Sequence, residues 1–139
     1  MIGDTGFRVV LVSSVAAGVV GLIVSILSEA SLPFELQRYL ARQSSDPLSG
    51  RDLIAAVIWV PAMIVTLVAA VGMFFFWRPS RLLGVIATLL ALLALPFSTP
   101  TVVSGITSFF NEASSILWGI VLGLAYWSSI AVRFEKPAK

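Results

Sequence analysis

Cysteine and histidine are both absent from this chain of 139 residues. Their absence removes thiolate and imidazole ligands, disulfides, cysteine-linked haem and the commonest general base in one step. Any chemistry would have to run on carboxylates, Lys, Ser, Thr or Tyr, and with nothing to oxidise, the redox compartment is not written in the residues. Charge is also scarce. Only 12% of residues are charged, about half the share usual in soluble proteins, while 58% are hydrophobic. Water is therefore not expected to be the main solvent. The net charge of +2 is small and the basic residues are scattered, so the basic stripe that nucleic acid requires is missing and no such partner is expected. No glycine-rich phosphate loop follows a strand pattern, no metal-ligand pair sits at helical spacing, and a serine nucleophile would lack its base. The expectation is a non-catalytic protein with no cofactor and no metal.

What the chain does contain is long apolar runs. Val9 to Ser28 carries no charge, and roughly 20 residues rising 1.5 Å each cover the roughly 30 Å of membrane hydrocarbon. Leu53 to Trp77 is a second such run, bracketed by Arg51 and Asp52 before it and Arg78 after it. A third starts at Leu82, after the short turn 78–81, and a fourth runs from Ala113 to Val132. These runs are apolar on every side, whereas spanning strands alternate, so helices are expected. The predicted architecture is all-α: a single transmembrane domain, an up-and-down bundle of four helices with spans at about 9–28, 53–77, 82–99 and 113–132. The third is the weakest, since its strongly apolar part from Leu82 to Phe97 covers only about 24 Å; it is expected to borrow from the Ser/Thr-rich segment beyond Pro96. Ser28-Glu29-Ala30 has the small residues of a leader cleavage site, but the apolar run exceeds the about 7 to 15 residues of a leader and Asp4 offsets Arg8, so a span is expected.

Helix ends carry start signals: Ser49-Gly50-Arg51-Asp52 for the second span, Pro79-Ser80 for the third, and Asn111 or a neighbouring Ser for the fourth. One side of the bundle would hold Arg8, Arg78, Arg81, Arg133, Lys136 and Lys139, and the other only Arg38, Arg42 and Arg51. The retention of basic residues in the cytoplasm then predicts a bacterial-type inner membrane with both termini cytoplasmic. Of the two outer loops, 29–52 contains a short amphipathic helix on the pattern Leu32, Leu36, Tyr39 and Leu40 against Glu35, Arg38 and Arg42. The other, 100–112, is uncharged and rich in Ser and Thr.

Small residues recur every fourth position on the first span (Ser13, Ala17, Gly21, Ser25) and on the fourth (Ser115, Gly119, Gly123). Such ridges let helix backbones approach closely, which drives association where lipid offers no hydrophobic contrast. Packing within one bundle is the plain reading; a homo-oligomer seam at Gly119 and Gly123 is the sharper one. Pro61 should kink the second span, and a pathway for a neutral molecule would be shaped by Pro61, Thr66, Thr88, Pro96, Thr101 and Ser104. Thr66 and Thr88 would by default satisfy themselves on their own helices. Glu29, Asp52 and Glu112 fall at outer span ends and form the one conceivable cation cluster, although capping and solvation explain each of them.

None of the four runs holds an ionisable residue in its interior, and such residues usually announce proton relays, ion coupling or voltage sensing. The expected partners are membrane lipids and another membrane protein, or a second copy of the chain. The function expected is helix–helix contact as an accessory subunit or an interaction or immunity-type partner. An oligomeric channel or transporter for a neutral or hydrophobic molecule is the alternative, and a lipid-modifying enzyme built on the outer carboxylates is a distant third.

Overall fold

The computed structural model describes residues 3–28, 33–35, 38, 50–98 and 103–135. These residues are helical with no strand among them: α1 (Asp4–Ser28), α2 (Gly50–Phe74), α3 (Ser80–Ala94) and α4 (Gly105–Trp127), with 3-10 turns at Leu95–Phe97 and Ser129–Phe134. Four helices are long and apolar enough to cross a membrane, α3 reaching the required length by running on through its 3-10 turn to Phe97 for 18 residues, about 27 Å. The chain thus has a transmembrane, multi-pass character.

The helix ends have identifiable local causes. At the end of α2, the Phe76 N–H donates to the Met73 carbonyl and the Trp77 N–H to the Gly72 carbonyl, while Phe76 takes a φ of 56°. This is the Schellman arrangement, with Phe standing where glycine is usual. It stops α2 at Phe74, short of Trp77. Pro79 then precedes α3, where its fixed φ and missing donor cost nothing. α3 gives way at Pro96, which cannot supply the next helical N–H. At α4 the cap is Ser104, whose hydroxyl accepts from the Thr107 N–H at 3.2 Å, so the helix begins well before Asn111 and Ala113. The uncharged Ser/Thr segment therefore supplies the cap and first turn of a helix. α1 begins at Asp4, whose carboxylate suits the positive end of a helix. The capping segment at Ser49 lies outside the described residues, as does most of the amphipathic pattern of 32–42; there Phe34, Glu35 and Arg38 are helical, with the Arg38 guanidinium 4.7 Å from the Phe34 ring centroid.

Neighbouring helices run antiparallel. α1 lies along α4, with Gly18 against Ser114 and Gly21 against Asn111, and α2 lies along α3, with Gly72 against Ser80 and Trp59 bonded to Ser98. α3 and α4 meet through Gly84 and Leu122, and through the Trp118 indole on the Thr88 hydroxyl. The buried positions are mostly small: Ala55, Ala62 and Ala69 on α2, and Ser80, Gly84, Ala87 and Ala94 on α3. They step by sevens, or by fours and threes, the 3.5-residue average that keeps one seam facing its partner. Large aliphatic residues such as Val19, Leu22, Val57, Met63, Leu89, Leu93, Ile116 and Ile120 are exposed. Small inside and large outside is an arrangement suited to lipid, where close backbone approach replaces hydrophobic contrast as the source of association.

At the end of the bundle that holds residues 3–8 and 128–135, the interior is bulkier. Phe7 and Leu11 of α1, Ala69, Ala70 and Met73 of α2, Val121 and Ala125 of α4, and Ile130 and Phe134 of the last 3-10 turn form one buried cluster. Ser128 sets that turn up: its hydroxyl donates to the Leu124 carbonyl and accepts from the Ile130 N–H, and its extended backbone swings the chain back beneath the bundle.

Candidate interaction surfaces

The α1–α4 seam is held by a reciprocal pair. The Ser14 hydroxyl donates to the Ser114 carbonyl at 3.1 Å, and the Ser114 hydroxyl donates to the Ser14 carbonyl at 2.9 Å. Each serine thus satisfies itself across the interface rather than on its own helix. Of the ridge expected on the first span, Gly21 is buried, Ala17 and Ser25 are half-buried and Ser13 is exposed. The seam follows the adjacent stripe Phe7, Leu11, Ser14, Gly18 and Gly21. A strict step of four drifts quickly around a helix of 3.6 residues per turn, while alternating fours and threes drifts only about 20° per heptad. That alternation is present in the sequence and is the signal that would have picked out Ser14 and Gly18.

The ridge on α4 has a different fate. Ser115 is exposed and its hydroxyl donates to Asn111 of its own helix at 2.9 Å. A methyl built on Gly119 would meet nothing within 4 Å, and one on Gly123 would meet only Trp127 of the same helix, at 4.0 Å. Gly18, Gly21, Gly72 and Gly84 behave oppositely, since a methyl on any of them would run into another helix or the adjoining turn at 3.1 Å or closer. The Ser115–Gly119–Gly123 face therefore turns away from the rest of the described chain, flanked by exposed Ile116 and Ile120.

Of the residues expected to shape a pathway, Pro61 is exposed on α2, within a helix that continues to Phe74, and Pro96 is exposed in the 3-10 turn. Thr66 donates to the Ala62 carbonyl at 2.8 Å and Thr88 to the Gly84 carbonyl at 2.9 Å, each on its own helix. Thr88 does more than satisfy itself, because it also accepts from Trp118 at 3.1 Å and so ties α3 to α4. Ser98 does the same for Trp59, accepting its indole at 3.0 Å while donating to Ala94. Ser104 is the cap of α4, and Thr101 lies outside the described residues. Among the three carboxylates, Glu112 is exposed within α4, Glu29 lies outside the described residues, and Asp52 is described for its backbone alone. Among the described residues no buried side-chain polar atom lacks a partner.

The bulky end carries a network that sequence reasoning did not assemble. The Phe7 and Phe76 rings stack at 5.7 Å between centroids, and Phe134 meets Phe76 edge-on at 5.3 Å and Phe7 at 6.1 Å. Arginines flank the rings: the Arg8 guanidinium is 5.0 Å from the Phe74 centroid and 5.4 Å from that of Phe76, while Arg81 is 5.2 Å from Phe134 and 5.3 Å from Tyr126. Arg81 also donates to the Ala125 carbonyl at 3.2 Å, and Arg133 pairs with Asp4 at 3.1 Å. The network is not apparent from sequence spacing, since Phe76 reaches Phe134 only because a left-handed residue ends α2 and a 3-10 turn follows α4. Compared with models of protein families, with curated proteins and with solved structures, the chain matches none of them.

Proposed function

We propose that this chain acts by helix–helix contact inside a membrane, as an accessory subunit or an interaction or immunity-type partner of another membrane protein, with the Ser115–Gly119–Gly123 face of α4 as the contacting surface. The observation that carries this reading is the open space at Gly119. Glycine weakens a helix by about 1 kcal/mol relative to alanine, and at Gly18 and Gly21 of α1, Gly72 of α2 and Gly84 of α3 that cost is matched by close approach of a neighbouring segment. On α4 that match would come from a helix outside the chain. The membrane proposed is of the bacterial inner type with both termini cytoplasmic, in keeping with Arg8, Arg78, Arg81 and Arg133 at one end of the bundle. The channel reading gains no support from Pro61, which lies exposed on α2.

Because the chain has no cysteine, single cysteines can be placed at will. Ile120→Cys, next to the open ridge, is expected to cross-link in native membranes into one discrete larger species, whereas Val12→Cys on exposed α1 is expected to stay uncoupled. A doubled mass identifies a second copy as the occupant, and any other discrete mass another membrane protein. If both cysteines react equally with a lipid-soluble maleimide and neither cross-links, the α4 face meets only lipid and the proposal fails.

A further inference from the structure

The bundle end that carries the aromatic network also holds four arginines, Arg8, Arg78, Arg81 and Arg133, against two carboxylates among the described residues, Asp4 and Glu135. Two of the arginines are used internally, Arg133 by Asp4 and Arg81 by the Ala125 carbonyl. The other two are not. Arg8 is exposed and lies over the faces of Phe74 and Phe76, and Arg78 is exposed on the α2–α3 turn; neither has a hydrogen-bond or carboxylate partner among the described residues. A cation over a ring is held by the quadrupole of the ring rather than by its own N–H groups. Arg8 is thereby fixed in place with its fork of donors unspent, the geometry that suits a phosphate.

Two independent features point the same way. Phe76, whose ring lies under Arg8, occupies the left-handed position where glycine would be unstrained, so the ring is kept at a backbone cost. Phe75, Trp77 and Trp127 project exposed around the same end, and aromatic residues of this kind settle at the depth of lipid headgroups. The chemistry that meets unpaired arginines at that depth is the lipid phosphate.

We propose that Arg8 and Arg78 bind the phosphates of anionic glycerophospholipids at this end of the bundle, with Arg8 resting on the Phe74 and Phe76 rings. The site is independent of the contact face on α4. Native mass spectrometry of the full chain, released from micelles containing equal phosphatidylglycerol and phosphatidylcholine of matched chain length, tests it. The wild-type protein is expected to retain the anionic lipid in excess. Arg8→Gln is expected to cut that excess about fivefold, and Arg8→Gln with Arg78→Gln to abolish it. Arg8→Lys, which keeps the charge and loses the fork, should fall between. Should Arg8→Gln disturb the fold, as read by circular dichroism, Arg78→Gln on the exposed turn carries the same fivefold expectation. Equal retention of the two lipids overturns the proposal, as does an excess that survives the double substitution. Displacement of the lipid by millimolar inorganic phosphate, or by a polyglutamate peptide, would show that the arginines serve a soluble anion or an acidic protein segment instead.

Discussion

The reciprocal serine pair makes a quantitative test of the α1–α4 seam possible. A methyl group at Gly18 would lie 3.1 Å from the Ser114 hydroxyl oxygen but 3.9 Å from the Ser114 Cβ. In the wild-type background, Gly18→Ala must push the hydroxyl out of its 2.9 Å bond to the Ser14 carbonyl. That bond is worth about 0.6 kcal/mol by the average for interhelical bonds in membranes. The crowding adds about 1 kcal/mol, against a gain of up to about 1 kcal/mol from replacing glycine within a helix. The expected net loss is therefore about 0.5 to 1.5 kcal/mol. Once Ser114 is alanine, no oxygen remains to displace and 3.9 Å is an ordinary contact, so Gly18→Ala should become neutral or stabilising. The cycle Gly18→Ala with Ser114→Ala should give a coupling energy of about 1 to 1.5 kcal/mol. Unfolding by sodium dodecyl sulfate in mixed micelles, followed through the four tryptophans, measures it. Gly18→Ala shifting the midpoint equally in both backgrounds would refute the packing described for this seam.

The same titration checks three further expectations. Gly21→Ala should cost about 1 to 3 kcal/mol, because its methyl would stand 2.7 Å from the Asn111 amide oxygen and 3.2 Å from the Phe110 Cβ, which cannot move without the backbone; Gly119→Ala should cost nothing. Phe134→Ala should lose about 3 to 5 kcal/mol, since Phe134 is fully buried among Phe7, Phe76 and Ile130. Phe76→Gly should relieve about 1 to 2 kcal/mol of backbone strain yet destabilise overall, and a more stable variant would show that its ring contacts contribute little. Finally, a fragment covering 50–98 should retain helical circular dichroism and the Trp59–Ser98 bond in detergent; unfolding of that fragment would show that α2 and α3 depend on α1 and α4.

The four long helices were legible because uncharged runs of that length have few other uses, and the α2–α3 turn because Arg78-Pro79-Ser80 interrupts them. Ser104 was missed as a cap because an uncharged Ser/Thr segment broken by Pro100 resembles a loop until its helix is seen. Phe76 was invisible for a different reason: Phe74-Phe75-Phe76-Trp77 continues the apolar pattern, and only the bonds to Gly72 and Met73 reveal a left-handed residue there. The ridges were half legible. Small residues cover more than one face of α1, so composition alone did not choose between Ser13–Ala17 and Ser14–Gly18. On α4 the stripe of Ser115, Gly119 and Gly123 was apparent, but its direction depends on Trp118, Val121 and Ala125 turning the opposite side inward.

The alanine seam of α2 and α3 also bears on the order in which the bundle assembles. Its two helices are joined by a turn of a few residues and pack through Ala, Gly and Ser, which surrender almost no rotamer freedom on contact. The serine pair, by contrast, links positions 100 residues apart and must wait for the chain between them. Loop-closure entropy therefore favours closure of the α2–α3 hairpin before the α1–α4 seam, so the serine pair is expected to be among the last contacts to form.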